Sequence, residues 1–464
     1  MGQLLKRMTR GVALLPVAAL TGALAYAQDA DLEARLAALE ESVNSSASSY
    51  VDNSYLFLIG GIIVMLMAAG FMCLEVGLVR SKNAAMQSMK NVVLYAVAGF
   101  MFWLVGYNMA YPGSTILGGL LGTTPVIWSG GDLEAMSDAG YAPASDWFFQ
   151  MVFVATAASI VSGTVAERVK LWPFLIFTAV LTGFIYPVVV SWEWGGGYLD
   201  SAWAFSDFAG STLVHSTGGW AALMGALIIG PRTGKYFGKQ VNPMPGSNIP
   251  LAGLGTFILW FGWFGFNGAS QLAAGTVTDI NSVAQIFANT NMGAVGGTLF
   301  AMITTAVLYK GKVDATMVFN GALGGLVSIT AEPLAPSMGA SVLIGGVGGV
   351  LAVLTVPILD KFKIDDVVGA IPVHLVCGIW GTIIVAASYG NHIMPVEIDG
   401  ELQTSYVGQL VGVLLTGVFV SIASVIVWMA LKFTIGVRAS EEEEMAGMDV
   451  SEVGLEAYPD FTNA

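Results

Sequence analysis

Asp207-Phe-Ala-Gly-Ser-Thr-Leu-Val-His215-Ser-Thr-Gly-Gly-Trp220 opens a long apolar segment and puts a histidine inside it. The chain has three histidines. A second one is embedded the same way, in Ile371-Pro-Val-His374-Leu-Val-Cys-Gly378-Ile-Trp380. Both stretches read Val-His with a glycine four residues on. An ionisable group inside a membrane span is costly, so it is a functional candidate by default.

Composition sets the class. Hydrophobic residues make up 55% of the chain and charged residues 11%, and mean hydropathy is +0.72. A soluble domain carries roughly 25% charged residues, so the fold class is an all-α polytopic membrane protein in a lipid bilayer. The net charge of −14 gives no basic face for nucleic acid. Cys73 and Cys377 both lie in apolar spans and read as small buried hydrophobes. Residues 1–27 have a basic start, an apolar run and Ala25-Tyr26-Ala27 before Gln28, the pattern of a cleaved signal peptide. Cleavage would leave the arm 28–54 outside the cell membrane. Leu32, Leu36, Leu39 and Val43 in that arm have the spacing of a short coiled-coil seam.

Eleven apolar spans follow, at about 55–79, 91–111, 147–166, 172–191, 208–230, 251–272, 283–309, 314–331, 338–358, 366–387 and 406–432. The connections alternate in charge. One set holds Arg80, Lys82 and Lys90; Arg168 and Lys170; Arg232, Lys235 and Lys239; Lys310 and Lys312; Lys361 and Lys363. The other set carries only acids: Asp132, Glu134, Asp138 and Asp146; Glu193 and Asp200; Asp279; Glu332; Glu397, Asp399 and Glu401. The excess of Lys and Arg marks the first set as cytoplasmic. Eleven spans from an outside N-terminus then end in a cytoplasmic tail at 434–464, beyond Lys432. The acidic outer connections would concentrate cations, or merely lack positive charge because of topology.

Spans one to five and six to ten read as two copies. Val161-Ser-Gly-Thr164-Val-Ala-Glu167 closes span three and Val327-Ser-Ile-Thr330-Ala-Glu332 closes span eight. Five spans per copy force opposite orientations, an inverted 5+5 repeat with an eleventh helix added and a site near the midplane. His215 and His374 each lie roughly 12–14 Å deep, from opposite faces, by a rise of about 1.5 Å per residue.

No acid or base occupies the middle of any span, so a permanent charge at the centre has no partner. There is no Cys/His metal spacing, nucleophile–base pair or phosphate loop, so no enzymatic role, cofactor or metal is expected. A charge in the bilayer centre costs from about 3 to above 10 kcal/mol. Stripping a proton from a weak acid costs about 1.4 kcal/mol per unit between its pKa and the ambient pH. Ammonium has that cheaper route, and potassium does not. Two neutral imidazoles each offer one donor and one acceptor, which suits ammonia and a relayed proton. Trp194, just outside span four, could hold a cation on its indole face for roughly 0.5–2 kcal/mol, or serve as a membrane anchor. As periodicity, the aromatic run in span six, with Trp263 and Phe266, is core packing.

Phe149-Gln150-Met-Val-Phe153, Val165-Ala-Glu167-Arg168, Trp194-Gly-Gly-Gly197, Asp207-Phe-Ala-Gly, Val214-His215, Gly262-Trp263-Phe-Gly-Phe266-Asn267, Phe319-Asn-Gly-Ala-Leu-Gly-Gly-Leu326, Asp365-Asp366 and Pro372-Val-His374 occur in the order seen in the ammonium transporter (Amt) family. The resemblance covers about Tyr55 to Ala430, within a membrane domain of 55–433. It implies a homotrimer in the inner membrane, with one pore per subunit, that takes up ammonium or its analogue methylammonium. Trp194, Phe153 and Ser270 match the outer ammonium site. Phe153 and Phe266 match the rings that close the pore, and His215 and His374 the twin histidines. Trp263 matches a pore-wall aromatic. Asp207 matches a buried carboxylate that orders the outer site.

The tail resembles the regulatory tail of the family, which can couple gating to a cytosolic PII signalling protein. Glu75 stands where a Tyr is often found and is expected to be interfacial and paired. Gly369 stands where some members have Asp. A Rhesus-type gas channel is the alternative that Trp194 argues against. An ammonium sensor with little flux is the other.

Overall fold

The computed structural model describes residue 35 and residues 46–122, 127–130 and 140–459. The signal-peptide reading, the leucine seam of the arm and the acids Asp132, Glu134 and Asp138 lie outside the described residues.

Among the described residues, ten helices are long and apolar enough to cross a membrane. They are α1 (Ser48–Leu78), α2 (Ser81–Ala110), α3 (Pro143–Thr164), α4 (Leu171–Ser191), α5 (Ser211–Ile229), α6 (Ile249–Ala269), α7 (Val277–Leu308), α9 (Met338–Lys361), α10 (Ile371–Ser388) and α11 (Tyr406–Thr434), with the shorter apolar helix α8 (Ala315–Thr330) between α7 and α9. At sixteen residues, α8 runs about 24 Å, short of a hydrocarbon core of roughly 30 Å. It is buried through its second half, Asn320 to Thr330. The remaining residues form short hairpins, such as Val396–Ile398 with Glu401–Gln403, and connecting loops.

Small residues decide how the helices pack. Between apolar helices in lipid, close backbone approach replaces the hydrophobic effect as the driving contact. Gly60, Gly70 and Gly77 on α1 face Ala269, Leu259 and Ala252 on α6 so tightly that an added Cβ would lie 2.3–2.8 Å from a side chain or backbone atom there. The same device joins α7, α8 and α9. A Cβ on Gly345 would meet the Gly293 carbonyl at 2.0 Å, and one on Gly297 the Gly321 carbonyl at 2.2 Å.

The charged residues are placed differently from their reading as loop residues. Helix α2 begins well before residue 91, so Lys90 is a buried helix residue and not a loop cation. Glu75, expected at the interface, is 1% exposed and paired inside the bundle. Helix α3 begins at Pro143, which brings Asp146 into its first turn. Glu193 accepts from the Asp207 amide at 2.7 Å, Glu332 from the amides of Leu334 and Ala335, and Asp279 closes a capping box with Thr276. These acids have local structural partners.

On the opposite face, Glu167 is held by Arg80 at 2.5 Å and by Arg232 at 3.1 Å. Arg232 also grips Asp365 at 2.9 Å. Burial alone would raise the Asp365 carboxyl, but the charge of Arg168 and the bonds from Arg232 outweigh it and hold the group well below its usual range. The tail after α11 is fastened to this face. Lys170 donates its amide to Val437, Glu444 accepts from the Thr233 amide and hydroxyl and from Arg438, and Asp449 accepts from the free amides of Ala85 and Met86 at the start of α2.

Gly345→Ala should lower stability by about 1–3 kcal/mol, the cost of overpacking, because α7 and α9 cannot separate without losing their other contacts. A thermal shift of the detergent-purified protein reads this, and an unchanged melting temperature would show that the two helices yield.

Candidate functional site

The two histidine segments are built alike. His215 lies in a π-helical turn, Ser211–Ser216, at the head of α5, and His374 in another, Ile371–Val376, at the head of α10. Single π turns inside α-helices often mark functional sites. Eight residues before each histidine stands an aspartate. The Asp207 carboxylate accepts from the amides of Gly210, Ser211, Thr212 and Leu213. Asp366 accepts from Gly369 and Ile371. These amides are the orphan donors of a helix start, and a carboxylate there is also favoured by the helix dipole. Three residues after each aspartate is a glycine with positive φ, +104° at Gly210 and +79° at Gly369, which lets the chain fold back over the carboxylate. Burial pushes the Asp207 carboxyl up to about 6, and its four amide bonds oppose that rise.

Two further glycines set the distance between the segments. A Cβ on Gly219 would lie 2.7 Å from the backbone nitrogen of Leu375, and one on Gly378 would lie 2.4 Å from the Ser211 carbonyl and 2.5 Å from the Ser216 hydroxyl. Each glycine is the one four residues beyond a histidine, and it admits the helix that carries the other histidine. The imidazoles therefore meet, Nδ1 to Nδ1 at 3.1 Å, with ring planes 24° apart. Both are buried. With both rings neutral, one Nδ1 donates and the other accepts, so one Nε2 carries a proton and the other is bare. The buried Nε2 of His215 has no hydrogen-bond partner among the described residues.

Aromatic rings surround the pair. Trp263 stacks on His215 with centroids 5.0 Å apart, and its Nε1 donates to the Thr330 hydroxyl at 2.8 Å. Phe266 lies 5.2 Å from His215 and stacks on Phe153 at 3.9 Å. Phe153 then meets Trp194 edge-on at 6.1 Å. Above this stack is a cavity of about 290 Å³ whose lining includes Phe153, Trp194, Ser270, Asp146, Tyr107 and Gln150. Trp194 is oriented by its Nε1, which donates to the Asp207 carbonyl at 3.0 Å. The Ser270 hydroxyl donates back to the Phe266 carbonyl at 2.8 Å, which leaves its lone pairs as acceptors.

All eight residues singled out in the sequence thus fall along one track: Trp194, Phe153 and Ser270 at this cavity, then Phe266 and Trp263, His215 and His374 next, and Asp207 behind them. Sequence reasoning missed Tyr107 and Tyr111 on the cavity wall and gave Asp146 to a loop. Asp146 accepts from the Tyr107 hydroxyl and from Gln150. Its spacing of four from Gln150, one helical turn, was the available signal. The third histidine, His392, lies away from the track in a partly exposed loop.

The model of the Ammonium Transporter Family matches residues 55–458. The ammonium transporter Amt2 of Archaeoglobus fulgidus is 40% identical over 423 residues, 87% of this chain and 87% of its own length. A solved structure named Sensor Amt Protein superposes with a TM-score of 0.80 at 34% identity, covering 88% of this chain and 100% of that one. The crystal structure of Mep2 from Candida albicans gives 0.73 at 25% identity, covering 89% and 92%.

Gly378→Ala should push α5 and α10 apart and break the contact between the two rings. A crystal or cryo-electron microscopy structure of the variant with Nδ1 atoms well beyond hydrogen-bond reach, above about 3.5 Å, is expected. An intact contact would mean that this glycine does not set the spacing.

Proposed function

Because the chain belongs to the ammonium transporter family, we propose that it carries ammonium across a membrane as ammonia, and that the contact between His215 and His374 is the centre of the path. The single observation that carries the reading is this buried 3.1 Å pair lying directly beneath a ring stack and an outer cavity.

Ammonium enters the outer cavity and rests against the Trp194 face, a cation–π contact worth roughly 0.5–2 kcal/mol. Ser270 accepts one of its N–H groups, and Phe153 forms the floor. Phe153 and Phe266 are the gate. The cation gives up its proton as it passes them, to an imidazole of the pair beneath, because crossing as an ion costs more than deprotonation. Ammonia then passes the bare and protonated Nε2 atoms, which match its donor and acceptor groups. Trp263 is the wall that keeps the passage dry, and Asp207 is structural, holding the start of α5 and, through its carbonyl, Trp194. No cofactor enters this scheme.

The matched aspartate, glycine, π-turn and histidine positions support an inverted 5+5 repeat, with α8 as the eighth of eleven spans. We further assign 1–27 as a signal peptide, 28–54 as an external arm, 55–433 as the membrane domain and 434–464 as a cytoplasmic regulatory tail. The protein then sits in the inner membrane as a homotrimer with one pore per subunit. A cytosolic PII protein is a candidate partner for the tail. A second reading, ammonium sensing without much flux, is favoured by the likeness to the solved structure named as a sensor.

Methylammonium uptake into proteoliposomes separates the two: accumulation supports transport, and binding alone supports sensing. Trp194→Leu should weaken saturation and selection among cations more than it weakens permeability. Unchanged concentration dependence would remove the cation site. His215→Asp with His374 intact should alter flux or selectivity, and wild-type behaviour in both would remove the role of the pair.

A further inference from the structure

Below the histidines the fold buries a carboxylate that the scheme above does not use. Glu75, near the end of α1, is 1% exposed. Its Oε2 accepts from three side chains: Gln87, Asn91 at 2.8 Å and Ser162 at 2.8 Å. Its Oε1 is buried and has no hydrogen-bond partner among the described residues. An unpaired buried acceptor of this kind costs about 1–3 kcal/mol, more for a charged group, so a fold that keeps one has left it open for a partner. Lys90 faces Glu75 with the opposite charge. Lys90 is itself 1% exposed and is held by the Ser162 carbonyl at 3.0 Å and by the face of Phe174 at 4.9 Å.

Glu75 lines a small cavity with Ser159, Asn320 and His374. The cavity measures about 10 Å³, at the lower bound of what one water molecule needs, ~10–15 Å³. Val368, Gly369 and Asn320 belong to this chamber and also line the larger cavity of about 190 Å³ at the inner mouth. The carboxylate and the imidazole therefore line one chamber, and that chamber adjoins the larger cavity.

We propose that Glu75 is the inner proton acceptor of this protein, taking from His374 the proton that ammonium leaves behind. The inference rests on the transport reading above and adds the route of the charge. Ammonium transfers one proton to an imidazole and becomes ammonia. The imidazolium passes that proton, through water in the shared chamber, to Oε1 of Glu75. The carboxylate becomes a carboxylic acid, and the imidazole is neutral again. The acid then releases the proton to the inner mouth and returns to the carboxylate, so each ammonium delivers one ammonia and one proton on the same side. Oε2 is saturated by its three donors and fixes the group, which leaves Oε1 as the atom that receives. Lys90 supplies the opposite charge beside the carboxylate. A side chain that reversibly takes a proton inside the path makes transport carry charge. A hydroxyl or an amide at this place would not accept the proton in the same way.

The test uses the purified full-length protein in liposomes, with two readouts on each variant. Currents evoked by ammonium pulses on a solid supported membrane report charge, and uptake of labelled methylammonium reports conductance of the neutral amine, the measure of ammonia conductance. In Glu75→Gln the current should fall at least about a hundredfold, the lower end of what one proton-transfer group contributes, with ammonia conductance close to wild type. Glu75→Gln strands Lys90, so the charge-neutral double variant Glu75→Gln with Lys90→Met is measured beside it and should show the same split. A wild-type current in either variant overturns the proposal. Loss of ammonia conductance in step with the current overturns it too, and would make Glu75 a structural residue. A wild-type protein with neither signal fails earlier, at the transport reading itself.

Discussion

The contact on which the rest depends is the crossing of α5 and α10 at Gly219 and Gly378. Two helices with ordinary side chains pack with axes some 8–10 Å apart, and the glycines at this crossing admit a closer approach. Removing one Cβ from each helix at the crossing lets Gly219 lie against Leu375, next to His374, and Gly378 against Ser211 and Ser216, in the turn that holds His215. The 3.1 Å bond follows from that approach. The π turns and the aspartate caps then fix how each ring emerges, and the surrounding aromatic rings fill the space that remains. The site is thus a property of backbone packing before it is a property of histidine chemistry.

A second constraint comes from charge. Carboxylates and cations at the helix ends are nearly all engaged by amides or by one another. Asp207 and Asp366 satisfy helix starts, while Glu167, Arg232 and Asp365 form a linked set on one face. Breaking one member of such a buried set leaves another charge unpaired, which is the expensive outcome. The tail uses the same chemistry: the Asp449 carboxylate sits on the open start of α2. The tail and the helices it touches are therefore electrostatically continuous, and a shift of one changes the environment of the other.

Much of this was legible in the sequence because lipid imposes simple rules. Apolar runs had to be helices, and the recurrent Val-His with a following glycine named both histidines and one of the packing devices. The parallel endings at Thr164 and Thr330 were visible as text, and both threonines do serve the site, through Asp366 and Trp263. What stayed hidden was anything that charge obscured. Cutting spans at acids and bases sent Lys90 and Asp146 into loops. A charge that is neutralised across helices looks, in one dimension, like the end of a span. Glu75 and Lys90 are fifteen residues apart in sequence on different helices, and no periodicity relates them. Nor does spacing reveal that Tyr107 reaches Asp146, since the two helices meet only in the fold.

The ring stack above the histidines has a consequence for the membrane as a whole. Phe153 and Phe266 lie 3.9 Å apart, van der Waals contact, with no thickness left for solvent between them. Protons hop readily along an unbroken file of water, and a hydrophobic constriction interrupts such a file. If these rings are the gate proposed above, the resting path is an insulator. They would then separate only for a guest that pushes between them, and the electrical and proton gradients across the membrane would not drain through the opening in the interval.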